Sequence, residues 1–188
     1  MNVEKPVGWA VTQSEIVIET PHMRLRRDQI ELPDGKQIGD YYVRESRGFA
    51  VVFALTPDDD VVLVRQYKHG IAETLVELPA GAIDAGESPS DCAIRELREE
   101  TGFICEPRNL EHAGSFIYDP TSSTTRYYLY IARDIRATGV QELDDTESIA
   151  IEYASLEDVR RYVRDGTICV GAHVASIYYV LDRLGRLG

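Results

Sequence analysis

The chain has 188 residues, 44% of them hydrophobic and 28% charged, with a formal net charge of −12. That length suits one domain, or one domain with an elaborated N-terminal segment, and can bury a sizeable core. The acidic balance excludes general nucleic-acid binding, and the longest apolar run, residues 49–55, is too short to span a bilayer.

The predicted elements follow in chain order. Residues 1–10 lack the basic start and apolar stretch of a secretion signal, so the expected location is cytoplasmic. Residues 14–20 alternate and carry Ile16, Val17, Ile18 and Thr20, which suits a strand. Residues 24–31 and 41–44 flank a Leu-Pro-Asp-Gly-Lys turn at 32–36, so a hairpin is expected there. Residues 48–55 and 61–67 read as two core strands joined by an acidic turn. A helix is expected over residues 89–101, with Ser88 as N-cap, Pro89 in the first turn, Asp91 completing a capping box and Gly102 as the stop. Residues 127–132 and 148–153 are further strand candidates. A second helix starts at Ser155, with Asp158 three residues on, and runs to about Arg164. A third spans about residues 172–184, where Val174, Ile177, Tyr178 and Leu181 have the spacing of one buried face. Tyr127, Tyr128, Tyr130, Tyr178 and Tyr179 are expected in core or dimer packing. Strands first, then a helix, then more strands and helices suggest a mixed sheet with helices packed on it. Cys92, Cys105 and Cys169 are widely spaced without CxxC, so buried, reduced thiols are expected instead of disulfides or a zinc site.

The first helix carries the chemistry. Ala93, Ile94 and Leu97 fall on its expected core face, while Glu96, Glu99 and Glu100 cluster on another side at i+3 and i+4. Arg95 can offset Glu99, but Glu96 and Glu100 face each other uncompensated. These acids also sit toward the C-terminal half of the helix, where the macrodipole disfavours negative charge. Two readings are open at this point: a solvated acidic face, or oxygen ligands for a hard divalent cation. A cation would also mediate between an acidic protein and an anionic substrate.

Residues 81–103 resemble the Nudix box, GX5EX7REUXEEXGU with U apolar, and all nine specified positions are filled: Gly81, Glu87, Arg95, Glu96, Leu97, Glu99, Glu100, Gly102 and Phe103. Gly81 and Gly86 are read as residues that let the backbone turn tightly before the helix. Arg95 is within reach of both Glu99 and Glu87 and would hold the carboxylates in place. The resemblance implies a Nudix-type α/β/α sandwich with a mixed β-sheet, preceded by an N-terminal antiparallel β extension. It divides the chain into an N-terminal dimerisation segment, residues 1–47, and a hydrolase domain, residues 48–188. It also implies a metal-dependent pyrophosphohydrolase using Mg²⁺ or Mn²⁺, with metal held by the Ala80 carbonyl and by Glu96, Glu99 and Glu100.

Val64-Arg65-Gln66-Tyr67, with Glu77-Leu78-Pro79-Ala80-Gly81 after it, is similar to a stretch of the ADP-ribose pyrophosphatases, and Lys68 stands where Arg is usual. Pro120 lies where a proline marks that subgroup, though Tyr118-Asp119-Pro120-Thr121-Ser122 departs from the usual wording. The resemblance therefore implies hydrolysis of ADP-ribose to AMP and ribose 5-phosphate by a homodimer. Arg65, Glu77 and Pro120 are placed near the substrate, and Arg47, or Arg44, is placed to reach the partner subunit's nucleotide. Catalytic roles fall to Arg95, Glu99 and Glu147, with Glu147 as base and Glu142 and Asp145 as substitutes. The rival readings are GDP-mannose or another nucleoside diphosphate sugar as substrate, and a non-catalytic nucleotide sensor. A full set of box acids disfavours the sensor. His22, His69, His112 and His173 show no ligand spacing and are read as loop or core residues.

Overall fold

The computed structural model describes residues 7–187. Most of the 1–10 segment, and residue 188, lie outside the described residues. The chain divides into two compact units, Met1–Arg47 with Ile117–Arg126, and Gly48–Phe116 with Tyr127–Gly188.

The first unit is an antiparallel sheet of β1 (Ala10–Thr20), β2 (Met23–Glu31) and β3 (Gln37–Glu45), in that order. β1 starts four residues before the predicted strand. A register shift between Val11 and Gln13 breaks the alternation that a sequence pattern relies on. Every position of β1 is exposed. The predicted turn closes β2 onto β3, with Leu32 N–H donating to Lys36 O at 2.8 Å. The 117–126 segment pairs with β3, where Arg44 N–H donates to Ser122 O and Thr124 N–H to Arg44 O.

The second unit contains β4 (Phe49–Ala54), β5 (Val61–Lys68), β6 (Glu73–Glu77), β7 (Ala80–Ala82), helix α1 (Pro89–Thr101), β8 (Phe103–Ile104), β9 (Leu110–Ile117), β10 (Arg126–Ala132), β11 (Arg136–Ala137), β12 (Ile149–Ala154), α2 (Leu156–Arg164) and α3 (Gly171–Arg183). One sheet has the order β7-β4-β10-β9 and mixes a parallel β4–β10 pair with an antiparallel β4–β7 pair. Another has the order β12-β5-β6, antiparallel throughout. β4 and the first half of β5, Val61 to Val64, are buried on both faces, which explains why they read as continuous apolar runs. Val51 and Phe53 face one core with Val159 of α2 and Ile177, Val180 and Leu181 of α3. Ala50, Val52 and Ala54 face the other with Cys92, Ala93 and Leu97 of α1. Helices thus cover both sides of the strands, an α/β/α sandwich.

Three expectations need correction. Ile94 is only partly buried, because Cys92 takes the core position beside Ala93 and Leu97. On α3 the buried stripe runs through His173, Ile177, Val180 and Leu181, while Tyr178 is exposed. Tyr179 is exposed as well, whereas Tyr127 stacks between Phe49 and Phe116 in the core. Cys92 and Cys105 are buried, but Cys169 is exposed in the turn before α3.

Candidate active site

The site is built where α1 meets the β6–β7 connection. Ser88 caps α1, its hydroxyl accepting from Asp91 N–H at 3.1 Å and donating to Asp91 Oδ2 at 2.6 Å. The Asp91 side chain therefore bonds the capping hydroxyl and not the Ser88 N–H, so the predicted capping box forms only its Ser88-to-Asp91 N–H half. Gly102 ends the helix in the left-handed region at φ 66°, with its N–H donating to Arg98 O.

Arg95 organises one end of the carboxylate face. Its Nε and Nη2 grip Glu87 at 2.8 and 2.9 Å, its Nη1 reaches Glu96 at 2.6 Å and Glu99 at 3.0 Å, and Nη2 also donates to Ala82 O at 3.0 Å. This fork–fork pairing pulls the Glu87 carboxyl down to a pKa of about 2 and raises Arg95 above its ordinary range. Three box acids share one guanidinium.

Glu100 is on the other side of the face, 3% exposed. It accepts one backbone hydrogen bond, from Ala80 N–H at 2.9 Å. Burial pushes its carboxyl up to about 8, against that bond and with help from the Glu96 charge. Glu96 is raised too, again first by burial, with Arg95 opposing. The Glu96 carboxylate lies directly on Gly81, where a Cβ would overlap its Cδ. A side chain at Gly81 would have to displace that carboxylate, which Arg95 holds; the Gly81 φ is not positive, so the tight-turn reading holds only for Gly86, at φ 82°.

The donors around Ala80 and α1 are all oxygen, the chemistry of a hard divalent cation. Among the described residues no three His, Cys, Asp or Glu side chains converge as a metal cage. A small cation that keeps several waters and takes one or two carboxylates plus a carbonyl does not require one. On donor chemistry, the Ala80 carbonyl with one or two of Glu96, Glu99 and Glu100 suits such an ion.

The remaining predicted residues fall as follows. Glu147 is exposed in the 138–148 loop, and its carboxylate accepts from Asp144 N–H at 3.2 Å. Its charge is felt at both Glu96 and Glu100, raising each. Glu142 is instead tied to the helix end, its N–H donating to Glu99 O at 2.9 Å and its carboxylate 3.4 Å from Arg98. Asp145 is exposed. Glu77 is buried and meets Lys68 Nζ at 3.1 Å and Gln66 Nε2 at 3.4 Å. Arg65 alternates onto the opposite face of β5 from Gln66 and pairs with Glu152. Arg47 and Pro120 belong to the first unit.

Sequence reasoning missed Gln141, and it read His173 as a loop or core residue without its bond from Leu78 N–H. The Gln141 amide donates to Glu100 O at 2.6 Å and to Ile149 O at 3.2 Å, closing the 141–149 loop onto the end of α1. It satisfies a helix carbonyl that lacks an intrahelical partner. No local pattern marks such a residue, because its partner is 41 positions away.

The NUDIX domain family matches residues 45–168, which contain Ala80, the carboxylates of α1 and Glu147. The chain belongs to that family. It is a Nudix hydrolase, and Nudix hydrolases generally use divalent metal ions. Residues 9–43 match a second family, the nucleoside diphosphate sugar hydrolase N-terminal domain. The enzyme is 31% identical to a methanol dehydrogenase activator of Bacillus methanolicus, over 84% of each chain. It is 28% identical to an ADP-ribose pyrophosphatase of Bacillus subtilis, over 81% of this chain and 82% of that one. An ADP-ribose pyrophosphatase of Mycobacterium tuberculosis is 30% identical, over 83% of this chain and 75% of its own. The crystal structure of an ADP compounds hydrolase shares the fold, with a TM-score of 0.82 at 21% identity, covering 98% of this chain and 100% of that one.

Proposed function

We propose that this Nudix hydrolase cleaves the pyrophosphate of ADP-ribose to AMP and ribose 5-phosphate, with Mg²⁺ as cofactor and Mn²⁺ as a substitute. The observation that carries the reading is the division of α1: Arg95 saturates Glu87, while Glu96 and Glu100 are packed against Ala80 and Gly81 with no guanidinium for Glu100. The similarity to ADP-ribose pyrophosphatases supports the choice of substrate.

In this reading Ala80, Glu96, Glu99 and Glu100 hold the cation. When bound, it supplies positive charge to the two phosphates and lowers the pKa of water. Arg95 keeps Glu96 and Glu99 in fixed rotamers. Glu147 takes the proton of the attacking water, for which it must come within hydrogen-bond reach. Arg65, Glu77, Arg47 and Pro120 are assigned to the substrate side by resemblance.

A second reading, a nucleoside diphosphate sugar such as GDP-mannose, is favoured by the match of residues 9–43. Phosphate release with Mg²⁺ in the presence of a phosphatase separates the two, because phosphatase attacks the cleaved products but not an intact internal pyrophosphate. A preference for ADP-ribose over GDP-mannose, UDP-glucose and diadenosine polyphosphates supports the first. Preference for another sugar nucleotide supports the second, and no turnover of any of them supports a nucleotide sensor.

We also propose a homodimer formed through the N-terminal segment, residues 1–47. β1 leaves Val11, Ile16, Val17 and Ile18 exposed along a sheet edge. A light-scattering mass near the 21.1 kDa of one chain would count against it. A cytoplasmic location is proposed on the same footing; among the described residues, no helix is long and apolar enough to cross a membrane.

A further inference from the structure

α3 brings one polar ring into the core beside the site. His173 is buried, and the reaction outlined above gives it no task. Its Nδ1 accepts the Leu78 N–H at 3.1 Å. A ring nitrogen that accepts carries no proton, so the proton of the neutral imidazole sits on Nε2. Nε2 stands 3.4 Å from Glu77 Oε1. One ring therefore faces the backbone donor of one residue and the carboxylate of the residue before it. Burial keeps the imidazole neutral, pushing its pKa down to about 4 against the pull of Glu77.

The segment it touches matters. Residues 77–80 connect β6 to β7, and each of three backbone groups is held by a different element. Leu78 N–H goes to His173 of α3, Pro79 O accepts from Val52 of β4 at 2.9 Å, and Ala80 N–H goes to Glu100 of α1 at 2.9 Å. Pro79 has no N–H of its own to contribute. Losing the acceptor for Leu78 leaves a buried donor unsatisfied, and a shift of the segment is the relief open to it. Such a shift carries Ala80 and Gly81 with it, and these are the residues that pack against Glu100 and Glu96.

We infer that His173 is a positioning residue for the hydrolase: through Leu78 N–H and Glu77 it sets the backbone that presents Ala80 to the carboxylates of α1. The inference rests on the hydrolytic reading proposed above. It concerns a contact across the core, 95 positions apart in sequence.

The test compares His173→Asn, His173→Gln and His173→Ala in the full chain. Asn puts an oxygen where Nδ1 stood and keeps an acceptor for Leu78 N–H. Gln carries its amide further out, toward the position of Nε2, and Ala removes both contacts. The expected result is a fall in kcat of about 10- to 100-fold for Ala, with KM within about twofold. Asn recovers most of that loss and Gln does not. Calorimetric titration with Mg²⁺ alone, without substrate, should show binding weakened by about tenfold in Ala and restored in Asn. Nitrogen NMR of the wild-type imidazole should show an unprotonated Nδ1. The inference is overturned if Asn is no better than Gln in kcat and Mg²⁺ binding, or if the ring proton is on Nδ1. If Ala does not fold, the Asn–Gln comparison still decides. If the wild type turns over none of the substrates, the hydrolytic reading fails, while Mg²⁺ binding and the tautomer still judge the role of His173.

Discussion

Glu87 and Glu100 belong to one short motif, yet their surroundings drive them in opposite directions. Glu87 receives two hydrogen bonds from Arg95 and is pulled down to about 2. Glu100 is buried with a single backbone donor and is pushed up to about 8. The difference teaches that the motif separates two jobs. Arg95 is committed to holding the loop and the near acids in place, and in the proposed reading the desolvated acid is left for a cation to complement.

The largest effect that could break this contrast is on turnover. Glu100→Gln should lower the phosphate-release rate by about 100-fold or more, since a metal ligand should matter at least as much as its supporting shell. Far-ultraviolet circular dichroism should be unchanged; loss of helix signal would make Glu100 a structural prop. Next comes stability. Arg95→Ala strands Glu87 and Glu96 and leaves Glu99 only Arg98, at 3.6 Å, and urea denaturation should show a loss of about 2–3 kcal/mol. A loss no greater than that of Glu87→Gln would mean that Arg95 serves only the loop.

Glu87→Gln should cost on the order of 2 kcal/mol at pH 7, after discounting for solvent screening. The pH dependence follows from the direction of the shift. The folded carboxyl titrates at about 2 and the unfolded one near 4.5, so its stabilisation is complete above 4.5 and is lost as pH falls toward 2. The gap between wild type and variant should close over that window. A gap that stays constant down to pH 2 would detach the stabilisation from the charge of Glu87. The smallest expected effect belongs to Gln141→Glu, which keeps the shape but removes both donors to Glu100 O and Ile149 O. If that clasp holds Glu147 over the site, kcat should fall by roughly 10-fold, the scale of a supporting contact. Unchanged kcat would remove the loop from the mechanism.

Much of the fold was legible wherever local physics decides the outcome. α1 has the predicted bounds because Ser88, Pro89 and Gly102 are local signals with local causes. β4 and β5 were visible as apolar runs, within a residue at each end. β6, β7 and β9 were not: Glu73–Glu77 and Leu110–Ile117 mix polar and apolar residues, and Ala80–Ala82 is three residues long. Their pairing comes from neighbours remote in sequence, and isolated propensity is weak for such strands.

The sequence by itself determined which acids cluster, because i+3 and i+4 spacing on a capped helix needs nothing beyond the helix. It also determined that Arg95 would lie beside Glu99, and it offered Glu87 of the preceding loop as a second partner, which the structure bears out. Only the tertiary structure decided which acid is desolvated, since burial of Glu100 depends on β7 lying over it. It likewise decided that Gly81 serves for space against Glu96, that Gln141 clasps the loop, and that His173 faces Leu78 and Glu77. Solvent exclusion and hydrogen-bond satisfaction are properties of packed neighbours, and those neighbours come from distant parts of the chain.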